Sequence, residues 1–304
     1  MSDHSLRIED LLNKLNKLKE ALLASSLADD RREALLESLQ REIVDLLTVT
    51  YAEGDTTVRR SSIYGLSRIK PELAVGTFLK ALRDEDDHVR GWAAEGLGRA
   101  LDPNTVPALI RSMGDDNHYV CFSAANALRR FGVERILQPL SVAVFAPEVG
   151  IRRRACKLLG ELGDKRATEF LLQAIKDLDA GVRYEATEAL RKLADVAAIP
   201  ALILALQDQS RDVRSAAVTA LGSYKDLQAV GPLIKTLAEQ RDLRYAALES
   251  LRSICGENCL GPVLELLRAQ KKFVNEAAAA VVQLVQKDNH AYAEKGVLPA
   301  TGAR

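Results

Sequence analysis

One frame recurs along almost the whole chain and restricts the fold more than any other feature. It opens on an apolar residue at Val58, Val89, Val120, Ile151, Val182, Val213, Leu243 and Val274, a spacing of 31 residues broken once by 30. Arg follows in six of the eight units, as Arg59, Arg90, Arg152, Arg183, Arg214 and Arg244, while Cys121 and Asn275 depart. Within a unit the apolar positions fall at 0, +4, +7, +8 and +11, as in Val182, Ala186, Ala189, Leu190 and Leu193, which is one stripe on a helix. A small residue recurs at +4 as Ala93, Ala124, Ala155, Ala186, Ala217, Ala247 and Ala278, so a neighbouring backbone can come close. A second apolar segment precedes each frame, and five of the nine prolines, Pro107, Pro139, Pro200, Pro232 and Pro262, are expected to open it. Proline suits a first helical turn, where its missing N–H would be unpaired anyway. Polar turns such as RDEDDH, GDDNH and QDQSRD lie between the two segments and supply Asp side chains that can cap the following helix.

Each unit is therefore helix, turn, helix, and a lone unit cannot bury both of its stripes. Stacking is the remaining solution, and the chain is predicted to be all-α, an α-solenoid of about eight helix-turn-helix repeats. The frame D-x-x-V-R-x-x-A-x-x-A-L, followed by P-x-L, resembles HEAT-like repeats, specifically the short class named after phycobilin lyases. The resemblance covers roughly residues 30–290. It implies an α-α superhelix whose second helices line the concave side. In function the class implies no single activity: it holds bilin lyases of light-harvesting antennae, a di-iron hydroxylase acting on a modified lysine, and many adaptors without chemistry.

The expected organisation is an N-terminal capping helix over residues 1–28, repeats over 29–290 and a disordered tail over 291–304. Ile8, Leu11, Leu15, Leu18 and Leu22 follow a heptad seam, but two heptads are too few for a coiled coil. Residues 31–50 then supply the first helix of unit one. The LPATG at Leu298–Gly302 looks like a sortase pentapeptide, yet only Ala303 and Arg304 follow it, without the apolar stretch and basic end such a signal needs.

Lys and Arg number 42 and so do Asp and Glu, which weighs against a surface devoted as a whole to nucleic acid. No run of 18 apolar residues spans a bilayer, and no basic start with an apolar core marks secretion. Cys121, Cys156, Cys255 and Cys259 are expected to stay reduced thiols in the cytoplasm. Catalysis needs convergent polar groups. His4, His88, His118 and His290 stand in no His-Glu pair, the element from which the di-iron hydroxylase of the resembled class builds its metal site. No glycine-rich phosphate loop, nucleophile elbow or zinc spacing appears, so neither enzyme activity, metal nor cofactor is expected.

The outward positions of the second helices remain, and +2, +6 and +9 are predicted to point away from the stripe. Units three, five and seven pair an aromatic at +2 with Arg at +9: Phe122 with Arg129, Tyr184 with Arg191, and Tyr245 with Arg252. Units two, four and six carry Gly98, Gly160 and Gly222 at +9. Each aromatic lies about 10 Å from its Arg, and alternate pairs lie roughly 20 Å apart. Tyr and Arg concentrate binding energy when a partner buries them; Glu188 and Glu249, three residues before Arg191 and Arg252, offer the alternative of exposed ion pairs. The +1 arginines are read instead as an inter-repeat ladder to turn Asp residues. Unit four differs, since IRRRACK gathers Arg152, Arg153, Arg154 and Lys157 without an acid. The expected function is a non-catalytic adaptor or scaffold that clasps a protein partner's acidic segment or helix with Phe122, Arg129, Arg153, Arg154, Lys157, Tyr184, Arg191, Tyr245 and Arg252. Two alternatives stand beside it: a phycobilin lyase or bilin-handling protein, and nucleic-acid binding through the Arg152–Lys157 cluster.

Overall fold

The computed structural model describes residues 29–256, together with Asn13, Lys17 and Glu20, which are helical and exposed. The rest of the expected capping helix, the eighth unit on Val274, Asn275 and Ala278, the tail with its LPATG, and His4, Cys259, Pro262 and His290 lie outside the described residues. Among the described residues all regular structure is helical, as the repeat requires, and no helix is long and apolar enough to cross a membrane. The first compact unit, residues 1–154, carries α1 (Asp29–Glu53), α2 (Thr56–Arg68), α3 (Val75–Ala81), α4 (Asp87–Ala100), α5 (Val106–Ser112), α6 (His118–Arg129) and α7 (Val133–Ala143). The division falls within α8 (Val149–Leu162). The second unit, residues 155–304, continues with α9 (Thr168–Ala174), α10 (Ala180–Leu193), α11 (Ile199–Ala205), α12 (Arg211–Tyr224), α13 (Val230–Glu239) and α14 (Arg244–Cys255). The even-numbered helices carry the frame, and the odd-numbered ones from α3 onward are shorter and carry the second apolar segment.

The predicted stripe is the core. Ala93, Ala124, Ala155, Ala186, Ala217 and Ala247 are fully buried, as are Leu66, Leu97, Leu128, Leu190 and Leu221 of the +8 column. Each leucine taken out of water contributes about 1.5–3 kcal/mol. The turns before the frame helices divide their labour between two residues. Asp55, Asp86 and Asp179 cap the helix that follows, each accepting from the N–H of Val58, Val89 or Val182. Two residues earlier, Asp84, Asp177 and Asp208 accept from the N–H of Asp86, Asp179 and Ser210, which fixes the turn.

The +1 arginine joins consecutive repeats within a unit. Arg90 donates from Nη1 to the carbonyls of Asp84 and Glu85 in its own turn, at 2.9 and 3.0 Å. Its Nε and Nη2 grip Asp115 of the next turn at 2.8 and 2.9 Å. Arg183 repeats the pattern with Asp177 O, Leu178 O and Asp208, and Arg59 grips Asp84 and Glu85. Where the period shortens to 30, Gln240 stands in, accepting from Arg214 and donating to Leu206 O. Burial alone would raise the carboxyls of Asp115 and Asp208, but Arg90 or Arg183 and a turn N–H outweigh it and hold both below the usual carboxylate range. A further link in the second unit runs from the Tyr224 hydroxyl to Leu190 O at 2.6 Å, and burial pushes that phenol up to about 12.

Two local expectations need correction. Position +9 was expected to face outward, but Ser67, Gly98, Gly160 and Gly222 are buried. They lie on the flank that meets the next frame helix: a Cβ on Gly98 would come within 2.6 Å of Ala127 Cα, one on Gly160 within 2.6 Å of Ala189 Cα, and one on Gly222 within 2.7 Å of Ser250 Cβ. The alternation of Gly and Arg thus records where helices close on one another. Pro139, expected to open a helix, lies inside α7, because that helix begins upstream at Val133, directly after Gly132 at φ 78°. Pro107 and Pro200 do occupy first turns.

Alanine is favoured over glycine inside a helix by about 1 kcal/mol. Gly160→Ala is nevertheless expected to destabilise the protein by about 1–3 kcal/mol in denaturant titration, since the Cβ drives α8 and α10 apart. Asp208→Asn is expected to cost about 1–3 kcal/mol at neutral pH. The carboxyl's folded-state value is lowered, so its contribution is complete above the unfolded value near about pH 4 and is lost as pH falls through the folded one. Unfolding free energies of the two proteins should therefore converge in acid.

Candidate functional site

The three aromatics of the +2 column are exposed, each on a helix whose opposite side is packed. Phe122 on α6 is 56% exposed, Tyr184 on α10 37% and Tyr245 on α14 78%. The arginines beside them are less uniform. Arg129 donates from Nη1 to Asn126 Oδ1. Arg191 pairs with Glu188 through Nη2 at 2.8 Å and Nε at 3.2 Å. Tyr184 and Arg191 do come together, for each perturbs the other's titration. The Tyr184 phenol is raised first by its burial and then by Glu188, Glu185 and Asp212, so its surroundings are acidic. Arg252 is exposed on α14.

The unit-four cluster separates into two kinds of side chain. Arg152 donates to Ala146 O and Pro147 O at 2.9 and 2.8 Å, the backbone half of the clamp described above. Arg154 donates to Met113 O at 2.6 Å and Gly150 O at 3.3 Å. Both are drawn against the backbone, whereas Arg153 and Lys157 are exposed one turn apart on α8. Cys121, which replaces Arg at +1, donates its thiol to Asp115 O at 2.8 Å, and burial is the main cause that pushes the thiol up. The residue 25 positions after it is Ala146, where Arg59, Arg90 and Arg183 find Asp84, Asp115 and Asp208. The arginine and its carboxylate are missing together.

A second surface escaped the sequence reading. In the first unit Tyr64 of α2 lies 5.4 Å from Trp92 of α4 between ring centroids, Trp92 lies 5.7 Å from His88, and His88 lies 5.7 Å from Tyr119 of α6. The guanidinium of Arg68 sits over the Tyr64 ring at 5.5 Å. Tyr119 rests on Gly91, where a Cβ would meet its ring at 2.1 Å, so the Gly at +2 of unit two is a seat for this ring. These rings stand at +6, +3 and −1 of successive frames, so no single column reveals them. The chain's only tryptophan was the available signal. Among the described residues no three His, Cys, Asp or Glu side chains converge as a metal site.

Profiles of the HEAT repeats family match residues 43–129, 75–144, 140–222 and 199–283. No curated protein matches the chain. Among solved structures the chain is similar to the Escherichia coli protein YibA, with 18% identity over 86% of this chain and 98% of that one and a TM-score of 0.49. It is similar to human deoxyhypusine hydroxylase in complex with glycerol, with 18% identity over 81% and 97% and a TM-score of 0.35. It is also similar to the complex of CpcE and CpcF of phycocyanin lyase from Nostoc, with 20% identity over 80% and 94% and a TM-score of 0.33. Likeness at this level concerns the fold and carries nothing about ligand or reaction. The profile matches extend through 43–283, more than half of the chain, and the chain belongs to the HEAT repeat family.

Proposed function

We propose that this protein is a non-catalytic HEAT-repeat scaffold that binds a partner protein through the outward faces of its frame helices, the partner contributing an acidic segment. The exposure of Phe122, Tyr184 and Tyr245 carries this reading. Large rings left in water at one recurring position of well-packed helices are the residue type in which binding energy concentrates. Arg153 and Lys157, exposed on α8, add cations for an acidic segment. Within the family, the 31-residue period and the D-x-x-V-R frame support reading the chain as one of the short-repeat class named after phycobilin lyases. The buried thiols of Cys121 and Cys156 suit the reducing cytoplasm.

The directions of the ionisation shifts are in keeping with the non-catalytic half of this reading. Every shift resolved among the described residues moves away from neutrality: Asp86, Asp115, Asp164, Asp195 and Asp208 downward, and the tyrosines, arginines and Cys121 upward. A general acid or base is tuned toward the operating pH, whereas these groups are locked into one charge state.

Affinity capture from native lysate, comparing the wild-type chain with Tyr184→Ala plus Arg191→Ala, tests the reading. A captured protein should drop at least about tenfold in the variant, the effect of losing roughly 1.4 kcal/mol of binding, while circular dichroism stays unchanged. An identical set of captured proteins at equal yield would refute the face.

A further inference from the structure

The aromatic strip of the first unit has two unlike ends. At the Tyr64 end the ring already carries a cation, since the Arg68 guanidinium sits over it at 5.5 Å. At the Tyr119 end the neighbouring charges are carboxylates. Asp87 and Glu95 flank His88 and Trp92 in the sequence of α4. Glu95 pairs with Arg99 and remains partly exposed. Asp87 accepts from the uncharged Asn117 amide, and His88 Nε2 lies 4.0 Å from its other oxygen. Arg60 and Arg90, which feel the charge of Asp87, are committed to Asp86 and Asp115, with Nε at 2.9 and 2.8 Å. Burial is the main cause that raises the Tyr119 phenol, and Glu95 and Asp87 raise it further against a hydrogen bond with Ser123, so both carboxylates act on this ring. Trp92 and Tyr119 are half-buried and His88 is exposed. Successive rings are tilted by 36° and 51° rather than stacked in parallel, which leaves part of each open to solvent.

We propose that the face formed by Trp92, His88 and Tyr119, with Asp87 and Glu95 beside it, receives an arginine side chain of a partner protein. Aromatic faces attract cations. A planar guanidinium can lie on a ring while its N–H edge donates to a carboxylate. Asp87, whose hydrogen bond comes from a neutral amide, is the acceptor, and Glu95 adds to the field. The same contact is already made within the chain by Arg68 on Tyr64. Ring and carboxylate are also held in place before a partner arrives. The Tyr119 ring is seated on Gly91, and Asn117 both accepts from the Tyr119 N–H and donates to Asp87. Such preorganisation lowers the cost of ordering on binding. A single-stranded nucleic acid also stacks on rings, but it would bring phosphates to two carboxylates, whereas an arginine brings the opposite charge. The inference goes beyond the scaffold reading, because it gives the first unit a site of opposite charge preference on other residues.

Trp92 is the only tryptophan, so its emission reports on this face alone. The full chain is titrated with a blocked pentapeptide, glycine–leucine–arginine–leucine–glycine, with its citrulline counterpart, in which an uncharged urea replaces the guanidinium, and with an octamer of deoxythymidylate. The arginine peptide should change Trp92 emission with saturation, and Asp87→Asn plus Glu95→Gln should weaken its apparent affinity about five- to tenfold. Both exchanges keep the size of the side chain and an accepting oxygen, so the double variant is expected to fold, as circular dichroism checks. The citrulline peptide and the oligonucleotide should leave emission unchanged. No response to the arginine peptide, an equal response to the citrulline peptide, an undiminished response in the double variant, or a stronger response to the oligonucleotide would each overturn the proposal. The capture experiment above changes residues of the second unit, so the face proposed here and the scaffold reading can fail separately.

Discussion

A helix pair of about thirty residues has two apolar stripes and a turn full of carbonyls, and by itself can satisfy neither. The guanidinium at +1 addresses the polar half of this problem. One side of it feeds the carbonyls of its own turn, where the preceding short helix ends and its dipole is negative, and the other side grips the carboxylate that fixes the next turn. Lysine could not do both, since the task needs donors fixed in a planar fork. The repeats are thus spaced by an ionic contact as well as by apolar contact, and each carboxylate's turn is stiffened by the arginine that holds it.

This division of labour explains which parts of the molecule were legible in the sequence. The stripe, the small residue at +4 and the +1 ladder recur in nearly every unit and answer to geometry that every unit shares, so they can be read by aligning the chain with itself. Gly98, Gly160 and Gly222 recur only in alternate units, and their reason lies in Ala127, Ala189 and Ser250 of the following helix. A column reading assigns such residues to solvent because it assumes an isolated helix. Pro139 misled for a similar reason: its place relative to the frame matches that of its counterparts, but α7 is longer upstream.

The candidate site was only half legible for a physical reason. Phe122, Tyr184 and Tyr245 share one column and are exposed, as expected. Their arginines share a column too, yet Arg191 is drawn to Glu188 and Tyr184 lies among carboxylates, so an equivalent position does not confer equivalent electrostatics. The Arg152–Lys157 stretch looks uniformly cationic as a string. In three dimensions Arg152 and Arg154 are drawn to carbonyls, and only Arg153 and Lys157 stand free of the backbone. The strip of Tyr64, Trp92, His88 and Tyr119 crosses three helices at three different frame positions, and only packing brings those rings together.

The seat of Tyr119 shows glycine serving an inter-helix contact at a second position of the frame. A glycine in the body of a helix costs about 1 kcal/mol relative to alanine. Gly91 lies in the second turn of α4, and its Cβ-free surface is filled by the Tyr119 ring. Alanine at 91 with a smaller residue at 119 would give a better helix and expose less aromatic surface. The chain instead carries a weaker helix and holds a half-exposed ring beside His88. Where helix propensity and the contact between neighbouring frame helices conflict, the contact prevails, at Gly91 as at Gly98, Gly160 and Gly222.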